Sequence, residues 1–120
     1  MAGKVNLKIN QGETFKHTFT WLDANGVAVN LTGMTAKMHI RERLDSATPA
    51  LVFSSEVIDN PDGTITLGGL AGTIQLKLSS TKTSAISWVS AVYDLEVTDT
   101  LLDVTRVVEG SVSVSKEVTR

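Results

Sequence analysis

The chain predicts an all-β fold: an antiparallel β-sandwich with one short helical turn. Three observations carry this. Apolar and polar residues alternate along most of the chain, the period at which successive side chains fall on opposite faces of a strand. The alternating runs are short and are separated by Asn, Asp and Gly clusters at the intervals of sandwich strands. Thr, Ser and Val abound while there are only two prolines, a composition that suits strands.

Val5, Leu7 and Ile9 alternate with Lys4, Asn6, Lys8 and Asn10, and Gln11-Gly12 ends this first run. The second sets Phe15, His17, Phe19 and Trp21 against Thr14, Lys16, Thr18 and Thr20. Asp23-Ala24-Asn25-Gly26 reads as a turn, because Asn-Gly accepts the positive φ angles of a tight reversal. Val27-Ala28-Val29 is short, and Leu31-Thr32-Gly33 reads as a corner. Met34, Ala36, Met38 and Ile40 then face one side, with Thr35, Lys37, His39 and Arg41 on the other. The polar stretch 41–49 is the clearest loop.

Leu51, Phe53 and Val57 suggest a further strand, and Asp59-Asn60-Pro61-Asp62-Gly63 is a dense turn signal. Ile65 and Leu67 make a short strand, and Gly68-Gly69-Leu70-Ala71-Gly72 leads into Ile74, Leu76 and Leu78. Residues 79–88 break the alternation. Ser79 or Ser80 can cap a single helical turn there, with Ala85, Ile86 and Trp88 reaching the core. Ala91, Tyr93, Leu95 and Val97 then point inward, followed by a loop at 98–102. The last strand sets Val104, Val108, Val112 and Val114 against Glu109, Ser111, Ser113 and Ser115. Gly110 falls on the inward face, where missing volume marks a bulge or a close neighbour. No period repeats and no linker divides the chain, so residues 1–120 are expected to form one domain of roughly eight or nine strands.

Composition narrows the function classes. At 120 residues the chain is long enough to bury its own core. With 42% hydrophobic and 20% charged residues it reads as folded rather than disordered. A net charge of −2 offers no basic field for phosphate backbones, which argues against nucleic acid as a partner. No apolar run approaches a membrane span, and the Met1-Ala2-Gly3-Lys4 start lacks a signal-peptide core. The expectation is a soluble protein made in a cytoplasm. The absence of cysteine excludes disulfides and thiolate metal sites.

Candidate chemistry is thin. His17 shares a face with Phe15, Phe19 and Trp21 and reads as a core or boundary imidazole; His39 sits among Lys37 and Arg41 on a solvent face. Neither has carboxylates at metal-ligand spacing, nor a serine in a nucleophile-elbow setting. Asp59-Asn60-Pro61-Asp62-Gly63 has too few oxygen ligands, and no closing Glu, for a calcium loop; it reads as a turn held by its own Asx side chains. Asp94 and Glu96 alternate outward and read as solvated, or paired to lysines such as Lys77. Asp99 and Asp103 complete the acidic candidates. Gly68, Gly69 and Gly72 lack the helix and Lys-Ser/Thr of a phosphate cradle. Trp21 and Trp88 read as core. Tyr93, two residues ahead of Leu95, fits the corner tyrosine of immunoglobulin-like sandwiches, whose hydroxyl ties down the preceding corner. No catalytic, cofactor-binding or metal-binding residue is assigned.

Gln11-Gly12-Glu13-Thr14-Phe15, Asp23-Ala24-Asn25-Gly26, Val29-Asn30-Leu31-Thr32-Gly33 and Ala36-Lys37-Met38-His39-Ile40-Arg41 resemble the opening of a small β-sandwich common among tailed-bacteriophage virion proteins. Gly72-Thr73-Ile74-Gln75-Leu76, Tyr93-Asp94-Leu95-Glu96, Val107-Val108-Glu109-Gly110 and Val118-Thr119-Arg120 are similar to that family's second half. The resemblance covers nearly the whole chain and is one of strands and turns. Its members are similar to domains of tail fibres and to baseplate proteins that hold receptor-binding parts. It implies an immunoglobulin-like sandwich acting as a protein-protein attachment module, without catalytic residues.

The expected function is therefore a non-enzymatic structural component of a tailed-phage virion. It would be an attachment or connector subunit of the tail, neck or fibre region, forming a symmetric homo-oligomer and docking on other virion proteins. The chain ends at the sandwich, without a fibre stalk or tip, which favours a connector over direct host recognition. The contact segments expected are 1–4, 41–49 and 118–120. Alternatives are a capsid decoration protein and, further off, a carbohydrate-binding module, for which Trp21, Trp88 and Tyr93 are the large polar-edged rings.

Overall fold

A computed structural model of the chain describes residues 3–119. Met1, Ala2 and Arg120, at the outer ends of two expected contact segments, lie outside the described residues. The strands are β1 (Gly3–Lys4), β2 (Leu7–Asn10), β3 (Phe15–Thr20), β4 (Thr35–Arg41), β5 (Leu51–Ser54), β6 (Gly63–Leu67), β7 (Thr73–Leu78), β8 (Ser90–Thr98) and β9 (Val104–Ser115). One short helix, α1 (Ser80–Ser84), precedes β8. The all-β expectation and the helical turn both hold, and Ser79 is the residue that caps it, its hydroxyl accepting from the Lys82 N–H.

The strands form a curled sheet in the order β1-β9-β8-β4-β5-β6-β7-β3, with β2 also on β9. It is mixed rather than antiparallel throughout. β1 and β2 run parallel to β9, and β5 runs parallel to β6. Alternation assigns faces, not neighbours, so it carries no information on strand direction. The β5–β6 ladder is only two residue pairs long, Phe53 with Gly63 and Ser54 with Thr64. The connecting stretch 55–62 passes through a 3-10 turn at Val57–Asp59 and a left-handed Asn60. Val57 therefore leaves the strand and is exposed, against the inward position expected for it.

Inward residues from all the long strands share one core. Leu7, Ile9, Met38, Ile40, Phe53, Ile74, Leu76, Leu78, Leu95 and Val112 are among its most buried members. Trp21 and Trp88 are half-buried and pack against it rather than lying within it. Ala85 is exposed, and the side chain of α1 that reaches inward is Thr83. Its hydroxyl donates to the carbonyls of Glu13 and Ser80 and accepts from the Gly12 N–H, so a fully buried polar group is satisfied. Val104 is 57% exposed rather than inward. A register shift between Leu95 and Glu96, where β9 skips Val107, separates it from the face that carries Val108.

β1 and β2 are one interrupted strand. Gly3 pairs with Val108 and Leu7 with Val112 at the same offset, so the break at Val5-Asn6 costs no register. The Val5 N–H still donates to the Glu109 carbonyl, and the Asn6 Oδ1 accepts from the Ser111 N–H in place of a main-chain carbonyl. The Val5 carbonyl turns inward over Gly110 and accepts from the Tyr93 hydroxyl at 2.6 Å. Tyr93 thus holds a structural post, as expected, but ties down the first strand and not the corner preceding it. Gly110 is the close approach its position suggested: a Cβ there would overlap the Val5 carbonyl oxygen.

Candidate functional site

Two surfaces concentrate unusual side chains. The first is an open depression of about 630 Å³ on the outer face of β4, β8 and β9. Alternation places Lys37 and His39 of β4 in direct register with Glu96 and Asp94 of β8, and Arg41 opposite Val92. Arg106 of β9 reaches across to Asp94 and to Glu109, both at 3.4 Å. Asp94 is therefore paired to Arg106 and not to Lys77, which stands opposite Lys16 and Thr64 in other ladders. These partners are half-exposed, so each pair contributes about 0–1 kcal/mol.

His39 lies half-buried in this depression rather than on an open solvent face. Burial holds its pKa below the usual imidazole value, helped by Arg41 and Lys37 and opposed by Asp94 and Glu96. Its Nδ1 lies 3.3 Å from the Arg41 guanidinium, which can only donate, so Nδ1 accepts. An imidazole oriented by a guanidinium is not the carboxylate-imidazole couple that activates a nucleophile. His17 packs edge-on against Phe19, ring centroids 4.6 Å apart.

The carboxylates of the 59–63 turn also have structural partners. Asp59 accepts from the Ser54 hydroxyl and lies 3.7 Å from Lys37. Asp62 accepts from the Val52 N–H and pairs with Lys82. They brace β5 and α1, in place of the self-contained Asx bonding expected. Among the described residues no three His, Asp or Glu side chains converge as a metal site, and no helix is long and apolar enough to cross a membrane.

The second surface is an end of the molecule built by three loops: 22–33, 68–72 and 98–104. They touch one another. The Leu31 N–H donates to the Gly69 carbonyl, the Gly72 Cα faces the Trp21 and Val29 carbonyls, and Gly33 faces Thr100. Six large apolar side chains stand exposed on them: Leu22, Val27, Leu70, Leu101, Leu102 and Val104.

Two of these loops share one hydrogen-bond pattern. Asp23 donates its N–H to the Val27 carbonyl; its own carbonyl accepts from Gly26, and its Oδ1 accepts from the N–H groups of Asn25 and Val27. Asp99 does the same with Asp103, Leu102, Leu101 and Asp103 in turn. The fourth residue of each loop must take a left-handed conformation, φ 78° at Gly26 and 68° at Leu102. Gly adopts it freely, whereas an L-residue with a Cβ is disfavoured by about 1–2 kcal/mol. Leu101 and Leu102 are each 80% exposed, so no packing offsets that strain within the chain.

The alternation pattern predicts no more than a loop at 98–102, and the apolar tip is visible only in the structure. The signal was present in Asp99-Thr100-Leu101-Leu102-Asp103, where two leucines occupy tip positions that turn chemistry reserves for Gly or Asn. Of the contact segments expected from sequence, 41–49 carries exposed Leu44 on the rim of the depression, and Val118 is exposed. No protein-family model matches the chain, and no curated protein is detectably similar to it.

Proposed function

We propose that the chain is a non-enzymatic docking module, working through the apolar three-loop end, and that its setting is the tailed-phage particle. The carrying observation is Leu102: a left-handed, exposed leucine beside a second exposed leucine, on a loop whose twin uses Gly at the same place. The particle assignment rests on the resemblance of strand and turn residues alone. An immunoglobulin-like arrangement is part of the same reading. It is supported by a first strand lying parallel to the last and by the β5–β6 ladder being only two residue pairs long.

A connector of the tail, neck or fibre region is the leading role, with capsid decoration the second; both use the same contact. Mass spectrometry of purified particles is the test. Presence of the chain supports the reading and its absence sinks it. Labelled protein seen at the tail vertex favours the connector, and label over the shell favours decoration.

A further inference from the structure

Segment 41–49 is held by the side chain of its own first residue. One terminal nitrogen of Arg41 donates to the Ser46 carbonyl at 3.0 Å, and the other lies 3.3 Å from His39 Nδ1. The guanidinium thereby ties the loop to the outer face of β4. Inside the loop the Arg43 N–H donates to the Ser46 hydroxyl oxygen and the Ser46 N–H to the Arg43 carbonyl. The same loop borders two hollows. Leu44 lines the depression over β4, β8 and β9, while Arg43 and Ser46 line a smaller one of about 540 Å³ beside Trp88.

Charges of both signs face His39. Lys37 and Arg41 flank it on its own strand, and β8 sets Asp94 directly opposite with Glu96 beside it on the same face. On the other side β5 places Val52 opposite and carries no charged residue. From β9, Arg106 pairs with Asp94 and Glu109, and Lys4 of β1 lines the same depression. Glu42, Arg43 and Asp45 of the loop are exposed, and Asp59 lies against Lys37. Among the described residues Glu96 has no ion pair.

We infer that His39 and Arg41 form a proton-operated latch on segment 41–49, closed while the imidazole is neutral and released when it is protonated. The inference is independent of the docking reading, which uses another surface. A proton taken from solvent at Nδ1 removes the lone pair that accepts from Arg41, because an imidazolium can only donate. It also sets two cations 3.3 Å apart. The imidazolium has Asp94 and Glu96 to turn to, whereas the guanidinium loses its place between His39 and Ser46. Burial, then Arg41 and Lys37, lowers the His39 pKa, against the pull of Asp94 and Glu96. The closed loop thus favours the neutral ring. Its extra stability is complete above the ordinary imidazole value of 6.5 and is lost as pH falls from there through the lowered value.

NMR of the full chain between about pH 7.5 and pH 5, where imidazoles titrate, tests this. Imidazole resonances give the His39 midpoint, and amide exchange corrected for its intrinsic pH dependence gives loop opening. Protection at Arg43 and Ser46 is expected to fall about fivefold, the worth of one hydrogen bond. The fall should share the His39 midpoint, below 6.5, while the β4–β8 ladder keeps its protection. His39→Gln, whose side-chain oxygen accepts without titrating, should abolish the pH response. His39→Lys, a fixed cation, should leave the loop loose at both pH values. Loop protection that is unchanged across the His39 midpoint overturns the inference, as does a pH response retained in His39→Gln or a His39 midpoint at or above 6.5.

Discussion

Replacing Gly110 with Ala addresses the joint on which the first strand depends. An added Cβ would overlap the Val5 carbonyl oxygen and sit 2.9 Å from its carbon. Both atoms are backbone, so relief requires Val5 to move away from β9. Val5 leads directly into β2, which buries Leu7 and Ile9. Full burial of such a side chain stabilises by about 1.5–3 kcal/mol, so complete detachment would cost about 3–6. Losing the Tyr93 hydrogen bond adds about 1 kcal/mol. β2 keeps its own four-residue ladder to β9, so a shift is expected rather than release, at about 2–4 kcal/mol. For a domain of this size that lowers the thermal midpoint by about 10 °C. Circular dichroism melts read the midpoint, and amide exchange should show protection lost first along β2. Tyr93→Phe alone should cost about 1–2 kcal/mol by leaving the Val5 carbonyl unpaired, and distinctly less in the Gly110→Ala background, where that carbonyl has already moved. A Gly110→Ala midpoint within about 2 °C of wild type would refute the close approach, and strict additivity would refute the shared carbonyl.

The twin loops form a matched pair of variants. Leu102→Gly should stabilise by about 0.5–1 kcal/mol, the relief of left-handed strain less the entropy of an added glycine. Gly26→Leu, where a Cβ meets nothing within 4 Å, should destabilise by about 0.5–1 kcal/mol on the same account; urea midpoints that move the other way would contradict the strain at Leu102. Thr83→Val keeps shape but leaves the Gly12 N–H and Glu13 carbonyl without their partner, and should cost about 2–3 kcal/mol in chemical denaturation. Burial pushes the Tyr93 pKa up from 10.0 to about 12. The unfolded chain then releases the phenolic proton first, so Tyr93 favours folding below pH 10 and that contribution is lost as pH rises from 10 to 12. Tyr93 is the only tyrosine, so phenolate absorbance reports it alone, and a midpoint near 10 would contradict its burial.

The parts of the fold legible in sequence were those set by side-chain period. Met38 and Ile40 against Lys37 and His39, or Ile74, Leu76 and Leu78 against Gln75 and Lys77, fall on the faces their alternation assigns. Gly110 was legible as a close approach because an inward glycine needs a reason. Strand direction was not legible, since parallel and antiparallel neighbours impose the same period; hence β5 beside β6 and β2 beside β9 came from tertiary packing. Val104 and Val57 misled because one residue of bulge, or one 3-10 turn, inverts or ends a period-two pattern. Tyr93 was read as structural, but its partner lies 88 residues away, a separation that local motif reasoning does not span. The three-loop end was illegible for a related reason: Leu22, Leu70 and Leu101 stand in separate loops and become one surface only when β3, β6 and β8 end on the same side of the sheet.

Because the chain contains no cysteine, single introduced cysteines report contacts without interference. Thiol labelling of a Leu101→Cys chain, free and within purified particles, tests directly whether the three-loop end is the docking surface. Fast labelling of the free chain that is strongly slowed in the particle is the expected result. Equal labelling in both would contradict docking through this end.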